Sequence, residues 1–148
     1  MLIRVATSSD VASWIELRTY LWCDASFDEH GSEAAAILAK SIDAGVAFVA
    51  VDQKGTICAF AEAALRHDYV NGCTTSPVAL LNGIYVRPEN RNSGLGRRLL
   101  MAVRTWARER GCSELASDVL LENVDSQAFH AAVGFEETER VMYFRQQL

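Results

Sequence analysis

The sequence predicts an α/β domain built on a mixed sheet, and three observations predict it. Short β-prone runs alternate with stretches whose apolar residues recur at helical spacing. A strongly apolar run, Val78 to Val86, leads into a glycine turn, and an amphipathic helix leaves that turn. Another strand and helix follow before the chain ends in a last β-prone run. The chain has 148 residues, half of them hydrophobic, which is enough for one domain with a real core. No linker, repeat or low-complexity run divides it, so residues 1–148 read as a single domain.

Leu2 to Val5 is a short strand. Ser8, Ser9 and Asp10 offer N-caps, and Val11, Trp14, Ile15, Leu17 and Leu21 then space out a helix. Ala34 to Ile42 reads as a second helix, ended by Gly45. Val46 to Val51 and Ile57 to Leu65 are strands joined by a turn at Asp52–Gly55, a hairpin. Residues 66–77 form a polar loop, and Pro88 closes the apolar strand after it. Leu95, Leu99, Leu100, Val103, Trp106 and Ala107 make one face of a helix that Gly111 stops. Leu115 to Val119 is a strand, Asp125 to Val133 a helix ending at Gly134, and Phe135 to Phe144 are extended segments.

Composition excludes several classes of function. A net charge of −5 argues against a nucleic-acid partner. No run is long enough to span a bilayer, and the opening MLIRVATSSD lacks the features of a signal peptide, so a cytoplasmic protein is expected. Cys23, Cys58, Cys73 and Cys112 are widely spaced, without a C-x-x-C pair, and read as reduced, mostly buried thiols. His30 and His67 are isolated, and no metal site is expected. Charge is segregated along the chain. Arg87, Arg91, Arg97, Arg98, Arg104, Arg108 and Arg110 crowd one stretch, whereas Gly111 to Glu139 has no Lys or Arg. That second stretch carries Glu114, Asp118, Glu122, Asp125, Glu136, Glu137 and Glu139. The segregation suggests one surface for an anion and another for a cation.

The turn Arg91-Asn92-Ser93-Gly94-Leu95-Gly96 is the anion candidate. It is not a dinucleotide loop, because the third glycine position is Leu99, and it lacks the G-K-[ST] of a triphosphate loop. What remains is a helix start whose N–H groups can cradle a pyrophosphate, with arginines for further oxygens. The turn resembles the acyl-coenzyme-A signature of the GNAT N-acetyltransferases, R/Q-x-x-G-x-G/A. Asn123 through Ser126, Phe129, His130, Gly134 and Phe135 likewise resemble that family's N-x-x-(A/S)-x-x-F-Y-x-x-x-G-F segment. The resemblance covers nearly the whole chain. It implies the GNAT fold, a mostly antiparallel sheet that splays beside the glycine turn, and acetyl-CoA as co-substrate. The coenzyme arm would lie beside the backbone of Ile84, Tyr85 and Val86, with an N–H there aimed at the thioester oxygen. Arg91, Asn92, Ser93, Gly94, Leu95, Gly96 and Arg97 would hold the pyrophosphate, and Asn123 would cap its helix and touch the arm.

A closer resemblance comes from Trp22, the loop Arg66 to Cys73, Ala116-Ser117-Asp118, and Gly134 to Val141. These segments are similar to those of the aminoglycoside 6′-N-acetyltransferases. The implied reaction is direct acetyl transfer to the 6′-amine in a ternary complex, conferring resistance. The implied acceptor contacts are Trp22, Tyr69, Asn82, Asp118, Glu136 and Glu139. Glu136, Glu137 and Glu139 would alternate along a strand, with Glu136 toward the site. Asn82 stands where GNAT enzymes often place a glutamate, and an amide cannot take a proton, so Asp118 is the candidate base. His130 stands where many relatives have a tyrosine that protonates the leaving thiolate; imidazole can do this, and Tyr143 is a rival donor. A polyamine or peptide amine as acceptor, or a catalytically weak CoA-binding or sensor module, are alternative readings. The β-prone Val141 to Phe144 would leave an exposed edge in a monomer, which predicts a homodimer formed by strand pairing or exchange near this end.

Overall fold

The hairpin at the centre of the chain organises the sheet. The computed structural model describes residues 1–148. Strands β2 (Gly45–Val51) and β3 (Ile57–Arg66) pair antiparallel. Their turn is closed by Asp52, whose carboxylate accepts the N–H groups of Lys54 and Thr56 at 2.8 Å each. β1 (Leu2–Val5) adds antiparallel to β2, and β4 (Val78–Val86) antiparallel to β3. β5 (Leu115–Ser117) then pairs parallel to β4, giving the order β1-β2-β3-β4-β5. The expected mixed, mostly antiparallel sheet is present.

Helices cover both faces. α3 (Leu95–Glu109) buries Leu95, Leu99, Leu100, Val103, Trp106 and Ala107, the face its spacing requires. These pack with Ala59, Ala61, Ala63, Ala79 and Leu81 of the sheet. On the other face, α1 (Val11–Leu21) and α2 (Phe27–Ala39) bring Trp14, Ile15, Leu17 and Ala34 onto Ala47, Val49 and Phe60. The last helix, α4 (Val124–Ala132), buries none of its residues completely.

Five expectations are corrected. α2 starts at Phe27 rather than Ala34 and ends at Ala39. Ser26 caps it by accepting the Glu29 N–H at 3.1 Å, and Asp28 and Glu29 favour its positive end. Gly31 obscures this start in the sequence; a Cβ there would meet Ile15 at 3.6 Å, so the glycine sits at the α1–α2 contact. Gly45 opens β2 and stops no helix. Residues 135–144 form no strand, and Val141, Met142, Tyr143 and Phe144 are exposed. Their β propensity finds no ladder within the chain, because β propensity reflects packing on a sheet and not a backbone preference. β5 is also shorter than its apolar run suggests, ending at Ser117. All four cysteines are free; Cys58 and Cys112 are buried as expected, but Cys23 is exposed and Cys73 half-buried.

Candidate active site

The site begins where the sheet comes apart. β4 and β5 pair from Ala79 opposite Leu115 to Leu81 opposite Ser117, and no further. On its other edge β4 stays paired with β3 as far as Val86. From Asn82 onward one edge of β4 is therefore open, including the backbone of Ile84, Tyr85 and Val86. The strand also bulges there. Glu62 faces Gly83 and Ala63 faces Leu81, so Asn82 is the extra residue of β4, and it is exposed. A bulge kinks and twists its strand.

The glycine turn lies at the end of the open strand. Asn92 has φ 58° and Gly94 φ 79°, and Gly94 is the N-cap of α3. No side chain caps this helix, so the N–H groups of its first turn are free for an anion. The two glycines have different tasks. A Cβ at Gly94 would meet nothing within 4 Å, so Gly94 is there for its left-handed backbone. A Cβ at Gly96 would come 3.1 Å from the Phe129 ring, so Gly96 lets α4 approach α3.

The arginine cluster is more structural than its charge suggests. Arg91 donates from Nε to the Val86 carbonyl at 2.9 Å and lies 5.4 Å from the Tyr85 ring centre. Ser93 Oγ donates to the Asn90 carbonyl at 2.5 Å. Arg97 donates to the Ala132 carbonyl at 3.2 Å, and Arg104 to the Val133 carbonyl. Both thereby clip the C-terminal end of α4. Arg98 reaches the Met1 carbonyl, Arg87 pairs with Glu16, and Arg110 pairs with Asp43.

α4 packs against this turn through Phe129. Asn123 caps it, its side-chain oxygen accepting the Ser126 N–H at 3.1 Å. His130 is tied on both sides. Its Nδ1 is 2.7 Å from the Ser126 carbonyl oxygen and must donate; its Nε2 is 2.8 Å from Ser117 Oγ. The ring packs 4.9 Å from Phe135 and 5.9 Å from Phe129. Asp118 follows Ser117 just past the end of β5, exposed, with no hydrogen bond to its carboxylate. Tyr143 is 85% exposed in the tail, with no hydrogen bond or aromatic contact tying it to the cleft.

Trp22 covers the bulge from the α1 side. A Cβ on Gly83 would stand 2.4 Å from the indole, so this glycine lets Trp22 lie flat on β4. Phe60 and the Arg18 guanidinium also flank the indole, at 6.0 and 4.6 Å. Beneath it is a buried polar cluster that sequence reasoning missed. Glu62, 3% exposed, accepts from Trp14 Nε1 at 2.9 Å and from Arg18. Arg18 also donates to Glu33 and, from Nε, to His30 Nδ1 at 3.2 Å. His30 donates from Nε2 to the Trp22 carbonyl at 3.0 Å, which completes the ring of contacts. Burial pushes the Glu62 carboxyl up, and Arg18 opposes that shift. The available signal was one carboxylate inside an otherwise apolar strand, ICAFAEAAL.

The acidic stretch divides into residues held by the fold and residues left open. Glu114 accepts the N–H groups of Thr74 and Thr75 at 2.9 and 2.8 Å, and these bonds with the Thr75 hydroxyl hold it below the usual carboxylate range. Glu137 is lowered likewise by Arg140. Glu136 and Glu139 are exposed, and without a strand they do not alternate as expected. They flank Thr138, which rests on the loop before β4: a Cβ on Gly72 would come 2.2 Å from Thr138 Oγ1. The same loop carries Tyr69, 72% exposed. A separate apolar hollow of about 410 Å³, lined by Val5, Phe48, Met101 and Trp106 among others, lies at the β1 end and holds none of these residues.

An uncapped helix N-terminus thus stands at the end of a strand with an open edge, an arrangement that can take an anion and an extended arm beside it. Residues 13–135 match the acetyltransferase (GNAT) family, and the chain belongs to that family. It is 51% identical to an aminoglycoside N(6′)-acetyltransferase type 1 of Stenotrophomonas maltophilia, over 99% of this chain and 93% of the relative. It is 47% identical to the enzyme of the same name from Serratia marcescens, over 99% of both chains. Among solved structures it resembles AAC(6′)-Iy in complex with the bisubstrate analogue CoA-S-monomethyl-acetylneamine, with TM-score 0.92 and 41% identity over 99% of this chain and 98% of the other.

Proposed function

We propose that the protein transfers an acetyl group from acetyl-CoA to the 6′-amine of an aminoglycoside, by direct attack in a ternary complex. The observation that carries this reading is the fork between β4 and β5 with the free α3 N-terminus at its end. The whole-length similarity to N(6′)-acetyltransferases supports the choice of acceptor. So does the related AAC(6′)-Iy structure, whose ligand joins CoA to an acetylated neamine.

In this reading the pyrophosphate sits on the N–H groups of the Gly94–Arg97 turn, with Arg91, Asn92 and Ser93 beside it. The arm runs along Ile84, Tyr85 and Val86, where a backbone N–H stabilises the developing oxyanion. Asn123 borders the arm. The acceptor lies between Trp22, Tyr69, Asn82, Asp118, Glu136 and Glu139, whose carboxylates and rings suit a polycation. An amine with pKa about 10.4 is almost wholly protonated at neutral pH. Asp118 takes its proton, directly or through water, while Asn82 orients the amine by hydrogen bonding. Of the two candidate acids for the thiolate, His130 is placed at the fork and Tyr143 on an exposed tail, so His130 is the choice. The reaction uses no metal ion. Acetyl-CoA and the unpaired cysteines suit the cytoplasm, and no helix is long and apolar enough to cross a membrane. The exposed Val141–Phe144 segment supports a homodimer in which a second copy covers it.

The test is release of CoA thiol from acetyl-CoA with aminoglycosides that have or lack a free 6′-amine, run beside spermidine and a short peptide. Release only with 6′-amino drugs is expected, together with a higher inhibitory concentration of those drugs in cells carrying the gene. Release with spermidine or peptide alone replaces the acceptor. Binding of acetyl-CoA without release to any amine replaces the enzyme with a binding or sensor module.

A further inference from the structure

We propose that Ser117 delivers the proton to the departing coenzyme A sulfur, with His130 as the acid behind it; this rests on the acetyl-transfer reading above. Ser117 is the last residue of β5 paired to β4, opposite Leu81, so it stands at the crotch of the fork. Its hydroxyl lies 2.8 Å from His130 Nε2. The other ring nitrogen is committed, because Nδ1 is 2.7 Å from a carbonyl oxygen and carries its hydrogen there. In the neutral ring Nε2 is therefore an acceptor, and the Ser117 O–H is what it accepts. Phe129 and Phe135 hold the ring in place. His130 is thus linked through the Ser117 oxygen to the point where β4 and β5 part.

Protonation of the imidazole reverses the bond. Nε2–H then donates to Ser117 Oγ, and the serine hydrogen is free to turn toward the cleft. In the transfer step the acceptor nitrogen bonds to the acetyl carbon, and the C–S bond breaks with its electron pair on sulfur. Sulfur takes the hydroxyl hydrogen of Ser117, and Oγ takes the Nε2 hydrogen. Imidazole is left neutral with Nδ1–H in place. The proton lost by the amine leaves by way of Asp118, and solvent recharges the imidazole. A thiol has pKa about 8.5 and an imidazolium about 6.5, so the relay runs downhill. The charged groups around the relay are Asp118, next in chain to Ser117, and Arg97 and Arg104 on the carbonyls that end α4.

The experiment compares Ser117→Ala, Ser117→Thr, His130→Gln and the Ser117→Ala/His130→Gln double variant over about pH 5.5 to 8.5, which spans the imidazole range. Each single loss should lower kcat roughly 10- to 100-fold, a usual size for general acid catalysis, and leave the KM for acetyl-CoA unchanged. Ser117→Thr keeps the hydroxyl and should recover most of the rate. The double variant should be no slower than the slower single, because both belong to one relay. The loss should be greatest at low pH and shrink as pH rises and the imidazole of the unmodified enzyme loses its proton. Undiminished kcat in Ser117→Ala, a pH-independent loss, or multiplying losses would overturn the relay. A second arm needs neither an amine nor a variant that folds. Nitrogen NMR of the unmodified protein should show the Nδ1–H tautomer, with the Nε2 signal moved by CoA but not by desulfo-CoA. A response identical for both ligands overturns the relay. Acetylation of spermidine but not of aminoglycosides would remove the acceptor assignment and leave the relay to be judged on spermidine.

Discussion

Asp118 is exposed with no hydrogen bond to its carboxylate, which leaves it available for the role of base proposed for it. A capping aspartate would instead be occupied by backbone N–H groups, as Asp52 is. Asp118→Asn keeps the shape and removes the proton acceptor. We expect kcat at neutral pH to fall about 100-fold with the KM for acetyl-CoA unchanged; full turnover would remove Asp118 from the mechanism. Asp10 shows the opposite condition. It is buried, bonded to Arg4 at 2.7 and 2.9 Å and to the Thr7 N–H, and Arg4 holds its carboxyl down to about 2. Its folded pKa lies below the unfolded value of 3.8, so its stabilisation is complete above that value and is lost as pH falls toward 2. The contribution is about 2 kcal/mol at most. Urea unfolding should find Asp10→Asn less stable than the unmodified protein at pH 7, with the gap closing between pH 4 and 2.

At the scale of elements, Gly83 is the most informative position. Its missing Cβ lets Trp22 lie on the bulge of β4. Gly83→Ala should displace the indole, raise the KM for the aminoglycoside at least tenfold and leave the KM for acetyl-CoA near normal. Equal changes in both constants would place Trp22 outside the acceptor site. The sequence shows why some elements were legible and others not. α3 was plain, because its apolar face repeats without interruption from Leu95 to Ala107. The glycine turn was plain too, since a positive φ and an uncapped helix start leave a signature in Gly94. α2 was not, because Gly31 interrupts its pattern for the sake of contact with α1. The Arg18–Glu62–His30 cluster was not either. Its members lie far apart in the chain, and only the fold lets the charges meet. Ser117 was invisible for the same reason, since a serine acquires meaning from the histidine that the next helix places beside it.

For the whole molecule, the tail is the exposed question. Val141, Met142, Tyr143 and Phe144 present an apolar run to solvent in a single chain. Light scattering after size exclusion should give twice the 16.3 kDa of one chain, and removal of residues 141–148 should reduce it to a monomer. A full-length monomer would refute the pairing. The use made of each acidic residue is likewise set by the fold. Charges close in sequence serve different ends, with Glu114 pinning a loop and Glu136 left to solvent.

α4 buries none of its residues completely and is held by Gly96 packing on Phe129, the Ser117–His130 bond and the arginine clips on its last carbonyls. α3, by contrast, is locked into the core along its length. These two helices, packed together at Gly96 and Phe129, are therefore expected to belong to different cooperative units of the protein. Amide hydrogens of α4 will exchange with solvent through small local openings, while those of α3 wait for global unfolding. In the proposed reading a coenzyme touches both helices and joins these units, so its binding should slow exchange in α4 far more than in α3.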